Sequence, residues 1–250
     1  MSPKLNSIMT IHSKRWKKSV DLYIKPKKRM EVKQNNIFPV WKPQSLSSGD
    51  VVKTIKSKLQ LKKVGHCGTL DPFAEGLLIV VSGSETSNSD KYMGDIKTYR
   101  TVISLGDETD TLDNTGEIIR RADVAPDKYS QEFIEQILSS FTGNIKQRPP
   151  AFSAKRINGV RLYKLARQDV FVHLKPVDIN IDNIKFISLD DNELTIEVIC
   201  QKGTYIRQLG RDIARAMGTR GHLKSLVRTE VGSFNYENSV KLEDIENWNY

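Results

Sequence analysis

The chain has 250 residues, 38% hydrophobic and 28% charged, with 39 Lys and Arg against 30 Asp and Glu. That is a globular composition, and it excludes a disordered or bilayer-embedded chain: the longest purely aliphatic run, Leu77–Val81, is far too short to span a membrane. Two cysteines, Cys67 and Cys200, cannot build a disulfide framework or a cysteine-rich zinc site, and they fit a reducing compartment.

The net charge of +9 is unevenly spread. Residues 1–30 hold nine basic residues and one acid, which leaves 30 basic and 29 acidic residues for 31–250. The first 30 residues have few apolar positions and no helical period, and they read as a disordered basic extension. An RNA-binding arm, an organelle-targeting presequence and a solvated tail without a role all fit.

In chain order, Ile37–Trp41 reads as a strand ended by Lys42-Pro43. Ser47 or Ser48 can cap a helix that turns Val51, Val52, Ile55 and Leu59 to one face. Leu77–Ser82 reads as a buried strand, and Tyr99–Leu105 as a second that leads to Gly106. Ser130 precedes an amphipathic helix with Phe133, Ile134, Ile137, Leu138 and Phe141, ended near Gly143. Val177–Leu189 and Leu194–Cys200 are strands joined by the turn residues Asp190-Asp191-Asn192. Tyr205–Met217 is a helix with Ile206, Leu209, Ile213 and Met217 inward, closed by Gly218 and Gly221, and Val231–Phe234 is a last strand. With no βαβ rhythm, the expected architecture is α+β: a mixed, largely antiparallel sheet flanked by helices.

Residues 31–250 are nearly neutral overall but locally polarised. Segment 145–167 holds seven basic residues and no acid; segment 202–228 holds seven against Asp212 alone; segment 105–135 holds nine acids and three bases. Two basic segments brought together would make a one-sided footprint for a polyanion, although such clusters also occur as ordinary solvated faces.

The densest segment is Gly65-His66-Cys67-Gly68-Thr69-Leu70-Asp71-Pro72, a glycine-flanked turn placed just before a buried strand. Taken bare, Asp before Pro is common turn chemistry and a lone histidine is more often structural than catalytic. The context is more specific. Gly65-His66-x-Gly68-Thr69-Leu70-Asp71-Pro72 resembles the signature of the TruB family of tRNA pseudouridine-55 synthases. Further blocks follow in the family's order: Lys97-Thr98-Tyr99 with Leu105-Gly106-x-x-Thr109-Asp110-Thr111-x-Asp113-x-x-Gly116, then Gln147-Arg148-Pro149-Pro150-Ala151-Phe152-Ser153-Ala154, then Lys202-Gly203-Thr204-Tyr205-Ile206-Arg207, then His222-Leu223-x-x-Leu226-x-Arg228-Thr229. The resemblance covers about residues 37–246.

That resemblance implies a pseudouridine-synthase catalytic domain over 31–250. It also implies an isomerase that detaches a uracil at N1, turns it and rejoins it through C5, without metal or cofactor. Asp71 matches the family's nucleophile. Arg207 matches its arginine partner, although Arg211 and Arg215 on the same helix face leave phosphate contact open for it. Tyr99 matches the tyrosine that stacks on the target base and is tied to proton movement. Tyr205 and Leu226 match pocket walls, and His66 matches the histidine that supports RNA docking and flipping; each of these four also reads as an ordinary packed or hydrogen-bonded residue. Segment 145–167 falls on the family's RNA-gripping loop, where Lys155 and Arg156, with Arg211 on the helix, are candidate backbone contacts. The acidic segment should face away from RNA, apart from structural Asp110 and Asp113.

The partner implied is the T arm of tRNA, with no membrane, no obligate protein partner and a monomer as the acting form. The location implied is cytoplasmic, or organellar if residues 1–30 are a targeting peptide. A tRNA-folding factor that works without catalysis, or a synthase for another RNA, are the alternatives. The chain departs from the family pattern at Gln44-Ser45, where a glycine is usual, at Ser87, at Ser153-Ala154-Lys155-Arg156, and at Val227-Arg228, where two arginines are usual. The small RNA-binding domain that many members append after this region is not expected here.

Overall fold

The computed structural model describes residues 36–248, except 126, 128, 154, 155, 158, 167, 169, 171 and 173. The basic extension over 1–30 therefore lies outside the described residues. The strands are β1 (Asn36–Lys42), β2 (Val64–His66), β3 (Glu75–Ser82), β4 (Lys97–Leu105), β5 (Asp107–Thr109), β6 (Ile118–Arg121), β7 (Gly143–Gln147), β8 (Arg156–Ile157), β9 (Val160–Arg161), β10 (Val177–Asp190), β11 (Glu193–Cys200), β12 (Gly221–Val231) and β13 (Val240–Lys241). The helices are α1 (Ser48–Lys58), α2 (Ser89–Gly94), α3 (Gln131–Ser139), α4 (Leu162–Ala166) and α5 (Ile206–Ala216). Among the described residues no helix is long and apolar enough to cross a membrane.

One nine-stranded sheet organises these elements, in the order β13-β1-β3-β12-β4-β11-β10-β7 with β2 added on β3. The pairs β1–β13 and β3–β12 are parallel and the rest antiparallel, so the expected mixed, largely antiparallel sheet is what forms. Helices α3 and α5 cover one face, and Ile134, Leu138, Leu209 and Ile213 join Ile103, Ile181, Leu194, Ile196 and Leu223 in the main core. Gly210 lets α5 come this close, because a Cβ there would run into Leu223 and Ile103.

Local signals account for most elements. Ser47 caps α1 in a capping box with Asp50, and Ser130 caps α3 through the Phe133 N–H. Asp191, at φ 51°, makes the tight turn between β10 and β11. One expectation fails: residues 221–231 form β12, in the middle of the sheet, while Val231 and Phe234 share only an isolated bridge. Gly221 opens this strand rather than merely closing the helix. Register shifts at Leu223/Ser225 and Arg228/Glu230 break the two-residue alternation that would have revealed it. Three-residue β2, the β5–β6 hairpin and β7 also lie beyond what periodicity shows.

Strand β3 positions the site. One of its edges is covered by β1, while the other is shared: β2 pairs with its end, through His66 opposite Val80, and β12 with its start, through Arg228 opposite Gly76. Where the edge passes from one partner to the other, the chain leaves β2, makes the loop Cys67–Ala74 and re-enters as β3. A Cβ at Gly76 would collide with the Arg228 backbone, so glycine is what allows β12 to lie against the base of this loop.

Candidate active site

Donors from outside hold the loop that carries Asp71. The Ser48 hydroxyl donates to Leu70 O and accepts from its N–H, both at 2.9 Å. Ser45 N–H donates to Pro72 O at 2.8 Å, and Lys42 Nζ to Ala74 O at 2.6 Å. From β12, Arg228 donates through Nε to Leu77 O at 2.7 Å, with longer contacts from Nη2 to Gly68 O (3.3 Å) and Nη1 to Thr69 O (3.4 Å). Lys42 and Arg228 are both fully buried, and each donates to three backbone carbonyls. Burial lowers the Lys42 ammonium to about 8, against the upward pull of Asp71.

Arg207 brings the distant parts together. Two residues past the N-cap of α5, it is only 5% exposed, which removes the phosphate-contact reading. Its Nε donates to Asp71 Oδ2 at 2.8 Å, Nη1 to Thr111 O at 2.7 Å, and Nη2 to Phe152 O at 2.8 Å. Asp113 Oδ2 lies 3.6 Å from Nη1. The other Asp113 oxygen accepts from the Thr111 and Thr115 hydroxyls and the Thr115 N–H. A planar guanidinium serves these partners because its five donors fan out in fixed directions. Asp71 stays about one-third exposed at the mouth. The arrangement thus presents an accessible carboxylate held by a buried cation.

Of the predicted wall residues, Tyr99 and Leu226 belong to the main apolar cluster, together with Leu70 and Phe73 from the Asp71 loop and Ile206 from α5. Tyr99 on β4 lies opposite Arg228 in the β4–β12 register. Burial raises the Tyr99 phenol, with Arg228 pulling the other way, so it stays neutral at ordinary pH. Tyr205, half-buried, is the N-cap of α5. His66 ends β2, half-buried, where the loop begins.

The RNA-backbone candidates are less defined. Lys155 lies outside the described residues, and Arg156 is described only as part of β8. Arg211 leans on Asp212 through Nε and Nη2, at 3.2 and 3.1 Å. It also lines a cleft of about 220 Å³ with Arg148, Pro149, Pro150, Gln208 and Asp110. Part of the acidic segment thus sits beside two arginines, and Thr111 and Asp113 reach the site itself. Sequence reasoning left Asp113, Lys42 and Arg228 out of the site. For Asp113 and Arg228 a signal existed, since each stands in one of the matching blocks.

A solved Cbf5–Nop10–Gar1 complex contains a chain similar to this one, with TM-score 0.67 and 28% identity over 88% of this chain and 55% of that one. The present chain thus spans little more than half of the matched chain of that complex. An H/ACA RNP bound to a substrate RNA gives TM-score 0.64 at 25% identity, covering 88% of this chain and 54% of that one. The family model for the TruB pseudouridylate synthase N-terminal domain matches residues 56–206, and that for the tRNA pseudouridylate synthase B C-terminal domain matches 207–250. The tRNA pseudouridine synthase B of Clostridium tetani is 41% identical over 86% of this chain and 74% of its own length; that of Bordetella pertussis is 38% identical over 88% and 90%. The chain belongs to the TruB family of pseudouridylate synthases. The two family models meet at the start of α5, yet β12 of the second pairs with β3 and β4 of the first, so both contribute to one sheet.

Proposed function

We propose that this chain isomerises the T-loop uridine at position 55 of tRNA to pseudouridine, with Asp71 as nucleophile. The observation that carries the reading is the 2.8 Å pair between Asp71 and the buried Arg207, inside segments that match the family models. A carboxylate attacks as the anion, and Arg207 Nε holds Asp71 Oδ2 in place at 2.8 Å. Asp71 bonds to C1′ as the N1–C1′ bond breaks; C5 of the turned base then bonds to C1′ and displaces the carboxylate, after which C5 loses its proton and N1 takes one up. Atoms and electrons balance, so no oxidant or cosubstrate is consumed.

The uridine has to leave its stack to reach Asp71. Leu70, Tyr99 and Leu226 offer apolar walls, with Tyr99 entering as a neutral phenol. His66, where β2 gives way to the loop, would support docking. Arg211 and the basic side chains after Gln147, Lys155 and Arg156 among them, would meet phosphates, while T-arm shape supplies the selectivity. Free, buried Cys67 and Cys200 suit a reducing cytoplasm.

The test is to map pseudouridine in total RNA with and without the gene, and then with Asp71→Asn in its place. Loss at the tRNA T loop alone, not restored by Asp71→Asn although that variant still binds tRNA, is the expected result. Loss at other sites points to another RNA. No loss points to an RNA-folding role without catalysis, and full restoration by Asp71→Asn excludes Asp71 as the nucleophile.

A further inference from the structure

Gln147 ends β7, inside the basic segment 145–167 and between Lys146 and Arg148, and its side chain is buried. The carboxamide spans 58 positions of sequence to meet a single residue's backbone: Nε2 donates to Tyr205 O at 3.1 Å, and Oε1 accepts from Tyr205 N–H at 2.8 Å. A neighbouring strand would bond in this way; here a side chain does it. Tyr205 is the N-cap of α5, with φ −98° and ψ 103°, and its own side chain makes no capping bond. Tyr205 O also accepts the first bond of the helix, from Leu209 N–H at 3.0 Å, so Gln147 is the partner of the Tyr205 N–H and a second donor to its carbonyl. Arg207 follows two residues later. Phe152, five residues after Gln147, accepts from Arg207 Nη2, so the same stretch grips α5 at its backbone and at its guanidinium.

We propose that Gln147 is a positioning residue for the Arg207–Asp71 pair: it sets how α5 begins, aims the guanidinium at the nucleophile, and ties that aim to the basic segment around it. The role assigned to the pair rests on the function proposed above. Misplacing an active group by about 1 Å through a distant change can cost on the order of a hundredfold in rate, so a small tilt of α5 is enough to matter.

Gln147→Met fills the space without either bond, and Gln147→Asn keeps an amide that stops one methylene short. The full chain is used, with thermal melts, tRNA binding, single-turnover pseudouridine formation at saturating tRNA, and hydrogen exchange of the Arg207 Nε–H by NMR, its signal assigned through its loss in Arg207→Lys. Both variants are expected to bind tRNA within about threefold of the parent while the rate drops roughly ten- to a hundredfold and the Nε–H exchanges about tenfold faster. In an Arg207→Lys background, Gln147→Met should add less than about threefold, because no aimed fork remains. A parental rate, unchanged exchange, a fully additive loss, or failure of both variants to fold would overturn the proposal, the last by showing Gln147 to be structural. If the parent itself leaves tRNA uridine unmodified, the functional reading falls, and the Nε–H exchange still decides the role of Gln147.

Discussion

Replacing Arg207 with lysine keeps the positive charge and removes the fork. Arginine uses three nitrogens to reach Asp71, Thr111 O and Phe152 O at 2.7–2.8 Å, and those partners lie in different directions. One ammonium can serve the nearest of them, which leaves two acceptors without a donor. A hydrogen bond from a charged group contributes about 1.5–3 kcal/mol, and water entering from the mouth would recover part of it, so the net loss should be about 3 kcal/mol. For a domain of this size that corresponds to roughly 6–12 °C in Tm. If lysine keeps Asp71, the carboxylate is still free to swing about a single contact, and the turnover rate should fall about 10²–10³-fold. Arg207→Met is the harsher control: Asp71 and Asp113 then face each other without a cation, which costs about 3–5 kcal/mol. Single-turnover pseudouridine formation on saturating tRNA, beside thermal melts of the same preparations, reads both quantities. An Arg207→Lys enzyme within tenfold of the parent rate, at unchanged Tm, would refute the argument that the fork is required.

Three further outcomes are expected. Ser45 stands at φ 70° where the family pattern has glycine, and a non-glycine residue in that region is strained by about 1–2 kcal/mol. Ser45→Gly loses part of that gain to a freer unfolded chain and should raise stability by about 0.5–1 kcal/mol; an unchanged or lower Tm counts against the strain. Lys42, lowered to about 8 from 10.5, gives up its proton first in the folded state, so the unfolded chain binds more protons between those values and the Lys42 contribution to stability rises with pH across that window. The parent should therefore gain on Lys42→Met in denaturant titrations from about pH 8 upward, and a gap independent of pH would contradict the shift. Removing residues 1–30, with nine basic residues and one acid, should weaken tRNA binding and flatten its salt slope, whereas an unchanged slope would dismiss an auxiliary role for the extension.

Elements with strong local chemistry could be read from sequence alone. The Ser47 and Ser130 caps, the Asp190-Asp191-Asn192 turn and the amphipathic stripe of α5 each express their structure within a few residues. Strand β12 does not, because two bulges shift its phase and the parallel partner of Arg228 is Gly76, far back in the chain. The site divides in the same way. Asp71 and Arg207 stood out because whole motifs surround them. Arg228 looked like the remnant of an arginine pair, yet it is a buried donor to carbonyls as far as 160 positions away. Gln147 and Lys42 also act on backbone atoms, and a bond to a carbonyl leaves no trace in the identity of the residue that accepts it.

Strand β12 also imposes an order on synthesis. Without it, β1, β2 and β3 have no link within the sheet to β4, β11, β10 and β7. A nascent chain extended only as far as Ala216 already has the Asp71 loop and the Arg207 helix, but no strand to join the β3 side to the β4 side. Completion of the sheet must wait until residues 221–231 emerge and insert between two partners made long before, a non-local step of the kind that folds slowly. Until then both flanking edges, Glu75–Gly76 and β4, are open to pairing with the wrong strand.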